Sequence, residues 1–213
     1  MNTRLRGTLC GIGAAVCYGT NPLGAINLYN DGISASATLF YRFALACLTL
    51  GIMMAVQRKS FAVTRRELGI LALLGVFMST SSTTLYFSFL FMDVGVASTL
   101  IFVYPVMVAV IMATMFKEKV TKTTMLAITL ALAGIALLNR SGDGTALSLW
   151  GVTLVMLSSL TYAVYIVVVN KSPLRMSSVK LTFYVLFFGM FTILGYTLVL
   201  GEQIQWLTTP RQW

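Results

Sequence analysis

Long apolar runs separated by short polar segments set the rhythm of this chain. Uncharged runs fall near Gly7–Leu28, Leu68–Met92, Val94–Phe116, Thr123–Leu138, Leu149–Val169 and Leu181–Leu200, and a further one, Ile33–Val56, is broken only by Arg42. A helix rises 1.5 Å per residue, so about 20 apolar residues cross the hydrocarbon of a bilayer. The pattern predicts seven transmembrane helices joined by short loops, an all-α polytopic membrane bundle whose main partner is the lipid bilayer. The first run is too long for a cleavable signal and has no small-residue cleavage site, so it is expected to be a retained helix.

Composition agrees: 58% of the residues are hydrophobic and only 10% are charged, too few to coat a soluble globule of 213 residues. The net charge of +9 suggests a nucleic-acid partner until its placement is considered. With the N-terminus in the cytoplasm, twelve of the fifteen basic residues fall on the cytoplasmic side (Arg4, Arg6, Arg58, Lys59, Arg65, Arg66, Lys117, Lys119, Lys122, Lys171, Arg175 and Lys180), and only Arg140 and Arg211 fall opposite. This is the positive-inside bias of a multi-pass protein. It predicts a cell membrane, of the bacterial inner-membrane kind, with the N-terminus cytoplasmic, and it makes nucleic acid an unsuitable partner. It also opposes a dual-topology antiparallel homodimer.

The chain repeats itself at an offset of 144 residues. Gly7 matches Gly151, Tyr18 matches Tyr162, Ser34 matches Ser178, Thr38 matches Thr182, Phe43 matches Phe187, and Leu50-Gly51 matches Leu194-Gly195. Asp31 falls opposite Arg175 and Arg58 opposite Glu202, the sign reversal expected of copies that lie upside down relative to each other. Five spans per copy force that inversion, and inverted repeats recur in secondary transporters.

The five-helix pattern, the Tyr41-Arg42-Phe43 of the second span, the stretch VASTLIFVYPVMVAVIMATMFKEKVT from Val96 to Thr121, and GVTLVMLSSLTYAVYIV from Gly151 to Val167 resemble the drug/metabolite transporter superfamily, EamA type. The resemblance implies a ten-helix carrier of small organic metabolites or drugs, with two inverted five-helix halves about a cavity. Residues 1–140 would form the first repeat and 146–213 the start of the second. Trp213 corresponds to Gly69 through the offset, so about seven helices of that plan are present and three would be missing.

Arg42 is the only charged residue inside a span, and a charge in hydrocarbon normally faces a polar cavity or a partner. Tyr18 and Asn21 on the first span and Tyr104 on the fourth fall at a similar depth, roughly 9–14 Å below the outer boundary. Three stripes share the i, i+4, i+7 spacing of one helix face: Ala14, Tyr18 and Asn21; Ser79, Thr83 and Tyr86; Ser158, Tyr162 and Tyr165. The candidate solute-binding residues are therefore Tyr18, Asn21, Arg42, Ser79, Thr83, Tyr86, Tyr104, Ser158 and Tyr162, with Arg42 favouring an anionic or zwitterionic group. Each has a structural reading as well: transmembrane Ser and Thr often bond to their own backbone or knit helices together, and Arg42 can snorkel. Pro22 and Pro105 withhold donors from the carbonyls of Tyr18 and Ile101, which either kinks the helix or frees an acceptor for a ligand. Gly7-x-x-x-Gly11 and Ala127-x-x-x-Ala131 are expected to pack within the bundle, ahead of joining a homo-oligomer. Trp150, Trp206 and Trp213 are expected at the outer interface.

No cofactor or metal is expected. The chain has no histidine, and Cys10, Cys17 and Cys47 have neither metal-ligand nor disulfide spacing and are expected as buried thiols. Without histidine or a deep carboxylate, a Ser or Cys nucleophile has no visible base, so the chain is not expected to be an enzyme. The same lack of a deep acid leaves a proton relay without a midplane candidate. The competing function is a truncated or partner-dependent membrane subunit that does not transport.

Overall fold

The computed structural model describes residues 3–118, 121, 124–126, 128–130, 133–134, 148–201 and 204–205. Every regular element among them is helical: α1 (Thr3–Gly19), α2 (Asn21–Asn30), α3 (Ala35–Val56), α4 (Arg65–Ser88), α5 (Val94–Leu100), a 3₁₀ turn (Ile101–Val103), α6 (Tyr104–Met115), α7 (Leu149–Lys171) and α8 (Ser178–Leu200). Six helical stretches are long and apolar enough to span a membrane, counting α1 with α2 and α5 with α6. Half of the fifth predicted span, Thr123–Leu138, lies outside the described residues, as do Ala127, Ala131, Arg140, Trp206 and Trp213.

Local chemistry starts and stops these helices. Ser34 caps α3 by accepting from Ala37 N–H at 3.2 Å. Thr64 and Glu67 form a reciprocal capping box on α4. Asp93 Oδ1 accepts from Gly95 and Val96 N–H at 2.8 and 3.1 Å and starts α5. Gly201, in the left-handed region at φ 66°, ends α8.

The two prolines divide spans that the hydropathy reads as continuous. Pro22 sits in the first turn of α2 and Pro105 in that of α6, where a missing N–H costs little. The Ile101 carbonyl below Pro105 is not left for a ligand. Ser159 Oγ of α7 donates to it at 3.2 Å, and the Tyr104 N–H bonds to it as well.

α4 is the central helix, packed between α7 and α8, while α3 packs on α8 and α5–α6 on α7. One apolar cluster joins Leu39 and Phe43 of α3, Leu85 of α4, Leu100 of α5, Val155 of α7 and Ile193 of α8. A smaller one at the other end joins Leu71 and Leu74 of α4 to Val185 of α8. The loop contacts identify that second end. Lys180 at the start of α8 donates to the Ala62 carbonyl at 2.6 Å, and Lys171 at the end of α7 pairs with Glu118 at 2.7 Å. Arg58, Lys59, Arg65, Arg66, Lys117 and Arg175 belong to the same loops and helix ends, so the positive charge gathers at one end of the bundle.

α1 departs from expectation. Leu9, Ile12 and Val16 are exposed, and a methyl added to Gly7 or Gly11 would meet nothing within 4 Å among the described residues. The Gly7-x-x-x-Gly11 face therefore does not pack inside the described bundle. For the same reason Cys10 and Cys17 are exposed, and only Cys47, on α3, is buried. Trp150 is exposed at the start of α7, opposite the cationic end.

Candidate functional site

A cavity of about 110 Å³ opens between the helices on the side of the bundle away from the cationic loops. Tyr18 of α1, Asn21 of α2, Arg42 of α3, Tyr86 of α4 and Tyr162 of α7 all line it, so five of the nine sequence-predicted residues come together there.

Arg42 organises the polar wall. Its Nη1 donates to the Tyr86 hydroxyl at 2.8 Å, and its guanidinium carbon lies 5.8 Å from the centre of the Tyr86 ring. A guanidinium carries only donors, so the Asn21 amide turns its oxygen toward Arg42. In that orientation the oxygen accepts from Nη1 at 2.8 Å and from Nη2 at 2.6 Å. Tyr86 is itself held in place, nearly buried, with its backbone carbonyl accepting from the Tyr29 hydroxyl at 3.2 Å. One charged side chain thus ties α2, α3 and α4 together beside the cavity.

Aromatic rings make the opposite wall. Tyr162 meets Tyr104 edge to face, with ring centres 4.8 Å apart, and stacks on Tyr165 at 5.7 Å. Tyr104 therefore buttresses Tyr162 and does not itself line the cavity. Phe89 and Phe102 complete the apolar surface.

The remaining predicted residues are placed elsewhere. Ser79 is buried and donates to the Val76 carbonyl of its own helix at 3.0 Å. Thr83 Oγ1 is buried without a partner among the described residues. Ser158 knits two helices: its hydroxyl donates to the Ser81 carbonyl at 2.7 Å, and Ser81 Oγ donates back to the Ser158 carbonyl at 2.9 Å. Thr80 likewise meets the Tyr196 hydroxyl of α8 at 2.8 Å.

The reason is geometric. With α7 and α8 both packed on α4, the cavity sees Met78, Ser81, Ser82, Leu85, Tyr86 and Phe89, a face turned about one residue from the stripe of Ser79, Thr83 and Tyr86, of which it keeps only Tyr86. Ser98 and Phe102 were missed altogether, although with Pro105 they repeat the i, i+4, i+7 spacing used for the other three stripes. Among the described residues no group of His, Cys, Asp or Glu is arranged to hold a metal ion.

Apolar helices that can span a bilayer, with a charged and aromatic cavity enclosed between them, define a multi-pass membrane protein with an internal polar site. The model of the EamA-like transporter family matches residues 5–140, nearly two thirds of the chain, and the chain belongs to that family. Comparison with curated proteins and with solved structures finds no match. The family is one of membrane transporters and not of enzymes.

Proposed function

We propose that the chain is part of a secondary carrier that moves small organic solutes across a cell membrane, with the cavity around Arg42 as the solute site. The observation that carries this reading is the convergence of Tyr18, Asn21, Arg42, Tyr86 and Tyr162, from four separate spans, on one cavity. A charge kept inside a span is costly, and it is commonly retained where a polar pathway needs it. Tyr18, Asn21, Arg42, Tyr86 and Tyr162 contact the solute; Tyr104 positions Tyr162; Ser79, Thr83 and Ser158 serve helix packing.

In this reading residues 1–140 form one repeat and 146–213 begin an inverted second one, and the two halves rock about the cavity to expose it to each side in turn. The gathering of positive charge at one end supports a cytoplasmic N-terminus in the manner of bacterial inner-membrane proteins. Single-cysteine accessibility tests the rocking. With Cys10, Cys17 and Cys47 replaced by serine, Ser82→Cys is expected to react with a membrane-impermeant thiol reagent from both faces of the membrane. Labelling from one face only, under all conditions, would rule out alternating access.

One observation favours a second reading. The open face of α1, with Leu9, Ile12 and Val16 exposed and Tyr18 47% exposed beside the cavity, suits a subunit completed by further helices. Flux by the purified chain alone separates the two readings.

A further inference from the structure

The hydrogen-bond inventory of Arg42 leaves one edge of the guanidinium unused. A guanidinium has five N–H groups in a planar fork. The Asn21 oxygen takes one from Nη1 and one from Nη2, and the Tyr86 hydroxyl takes the other Nη1 hydrogen. What remains is Nε–H and the second Nη2–H, which point the same way along one edge of the plane. No acceptor among the described residues takes either. Two parallel N–H groups are the pattern that a carboxylate satisfies with its two oxygens.

Charge accounting leads to the same chemistry. Among the described residues the acids are all engaged or remote: Glu67 caps α4, Asp93 caps α5, Glu118 pairs with Lys171, and Asp31 is exposed in the turn after α2. Asn21 and Tyr86 are neutral, so they solvate the guanidinium without cancelling its charge. Among the described residues Arg42 is also the only cationic one lining the cavity, which fits a monoanion better than a dianion. A second unmet group lines the same cavity, the buried Ser98 hydroxyl, which has no hydrogen-bond partner among the described residues. The rest of the lining mixes the rings of Tyr18, Phe89, Phe102 and Tyr162 with Pro22, Met78, Leu85 and Ile101 and the hydroxyls of Ser81 and Ser82, and its volume of about 110 Å³, below the roughly 150 Å³ that holds benzene, sets a small occupant.

We infer that the cavity takes a small organic monocarboxylate. Its two oxygens seat on the free Nε and Nη2 edge of Arg42, Ser98 supplies a further donor, and its ring or branched chain lies against Tyr18, Phe102 and Tyr162. The inference rests on the carrier reading in treating this occupant as the transported solute.

An isosteric series tests it on the native protein. Benzoate, benzamide and benzylamine share a ring and differ in the charge of the head group, and their affinities are measured by calorimetry on purified protein in phosphatidylcholine nanodiscs. Benzoate is expected to bind about tenfold or more tighter than benzamide, with benzylamine weakest. Arg42→Lys, which keeps the charge and loses the fork, is expected to erase most of that ratio, and Ser98→Ala to weaken benzoate a few-fold with little effect on benzylamine. Equal affinities, a preference for benzylamine, or binding of none of the three would overturn the monocarboxylate. So would competition by added phosphatidylglycerol, which would give the free edge to a lipid headgroup.

Flux separates this inference from the reading beneath it. Benzoate that binds with the expected ratio yet enters proteoliposomes no faster than protein-free vesicles would uphold the site and overturn the carrier. Carriage of benzamide or benzylamine with exclusion of benzoate would uphold the carrier and overturn the carboxylate.

Discussion

Gly75 of α4 and Gly189 of α8 mark a close approach of the two helices: a Cβ on Gly75 would stand 2.6 Å from Phe188 Cβ and 3.0 Å from the Gly189 nitrogen. Small residues let transmembrane backbones approach this closely, and van der Waals packing is the main force between helices in lipid. On its other side Gly189 receives the Phe43 ring of α3, so three helices depend on these two positions. Gly75→Ala is expected to cost about 1–3 kcal/mol through overpacking. Gly189→Ala should cost less, because it meets the edge of a ring that can turn. Thermal unfolding in detergent measures both, and an unchanged midpoint for Gly75→Ala would mean that α4 and α8 do not cross here.

Ser81 and Ser158 exchange hydroxyl-to-carbonyl hydrogen bonds between α4 and α7. Interhelical bonds of this kind average about 0.6 kcal/mol in membrane proteins and rarely exceed about 1.7. Ser158→Ala should therefore lower stability by roughly 1 kcal/mol and leave solute affinity unchanged. A large loss of affinity without a loss of stability would return Ser158 to the solute site.

These two contacts show where sequence reading stops. Helix existence and the membrane class were legible because they depend on the hydropathy of each segment alone, and the common level that helix rise gives Arg42, Tyr18 and Asn21 agrees with their lining one cavity. Which face of α4 turns to the cavity depends on two neighbours at once, and no periodicity within residues 65–88 encodes that. The stripe of Ser79, Thr83 and Tyr86 was accordingly read about one residue out of step, and Ser81 and Ser158 turned to each other. The breaks at Thr20 and at Ile101–Val103 were signalled by Pro22 and Pro105, but the capture of the Ile101 carbonyl by Ser159 needed the fold. The exposed α1 went the other way: a Gly-x-x-x-Gly pattern states that a close approach is possible, and says nothing of whether a neighbour is there.

Tyr86→Phe keeps the ring beside Arg42 and removes only the hydroxyl that accepts from Nη1. A hydrogen bond to a charged group contributes about 1.5–3 kcal/mol, so a stability loss of that order is expected. Asn21 would remain bonded to the guanidinium, and membrane insertion should be normal. A melting temperature equal to that of the native protein would show that Arg42 does not depend on Tyr86.

Orientation has its own test. If the cationic end faces the cytoplasm, Lys59→Cys in a background without the three native cysteines is expected to be labelled by an impermeant reagent only in inverted vesicles. Gly32→Cys, in the turn after α2, should be labelled only in intact cells. The reverse pattern would place the N-terminus outside.

The most direct test of a solute pathway at Arg42 is flux through the purified chain in proteoliposomes, measured as counterflow of labelled small organic solutes, benzoate among them, for the native protein and for Arg42→Ala. Saturable counterflow in the native protein, reduced tenfold or more in the folded and inserted variant, is the expected result. Equal counterflow in the two would remove Arg42 from the pathway, and none in either would favour a subunit that does not transport alone.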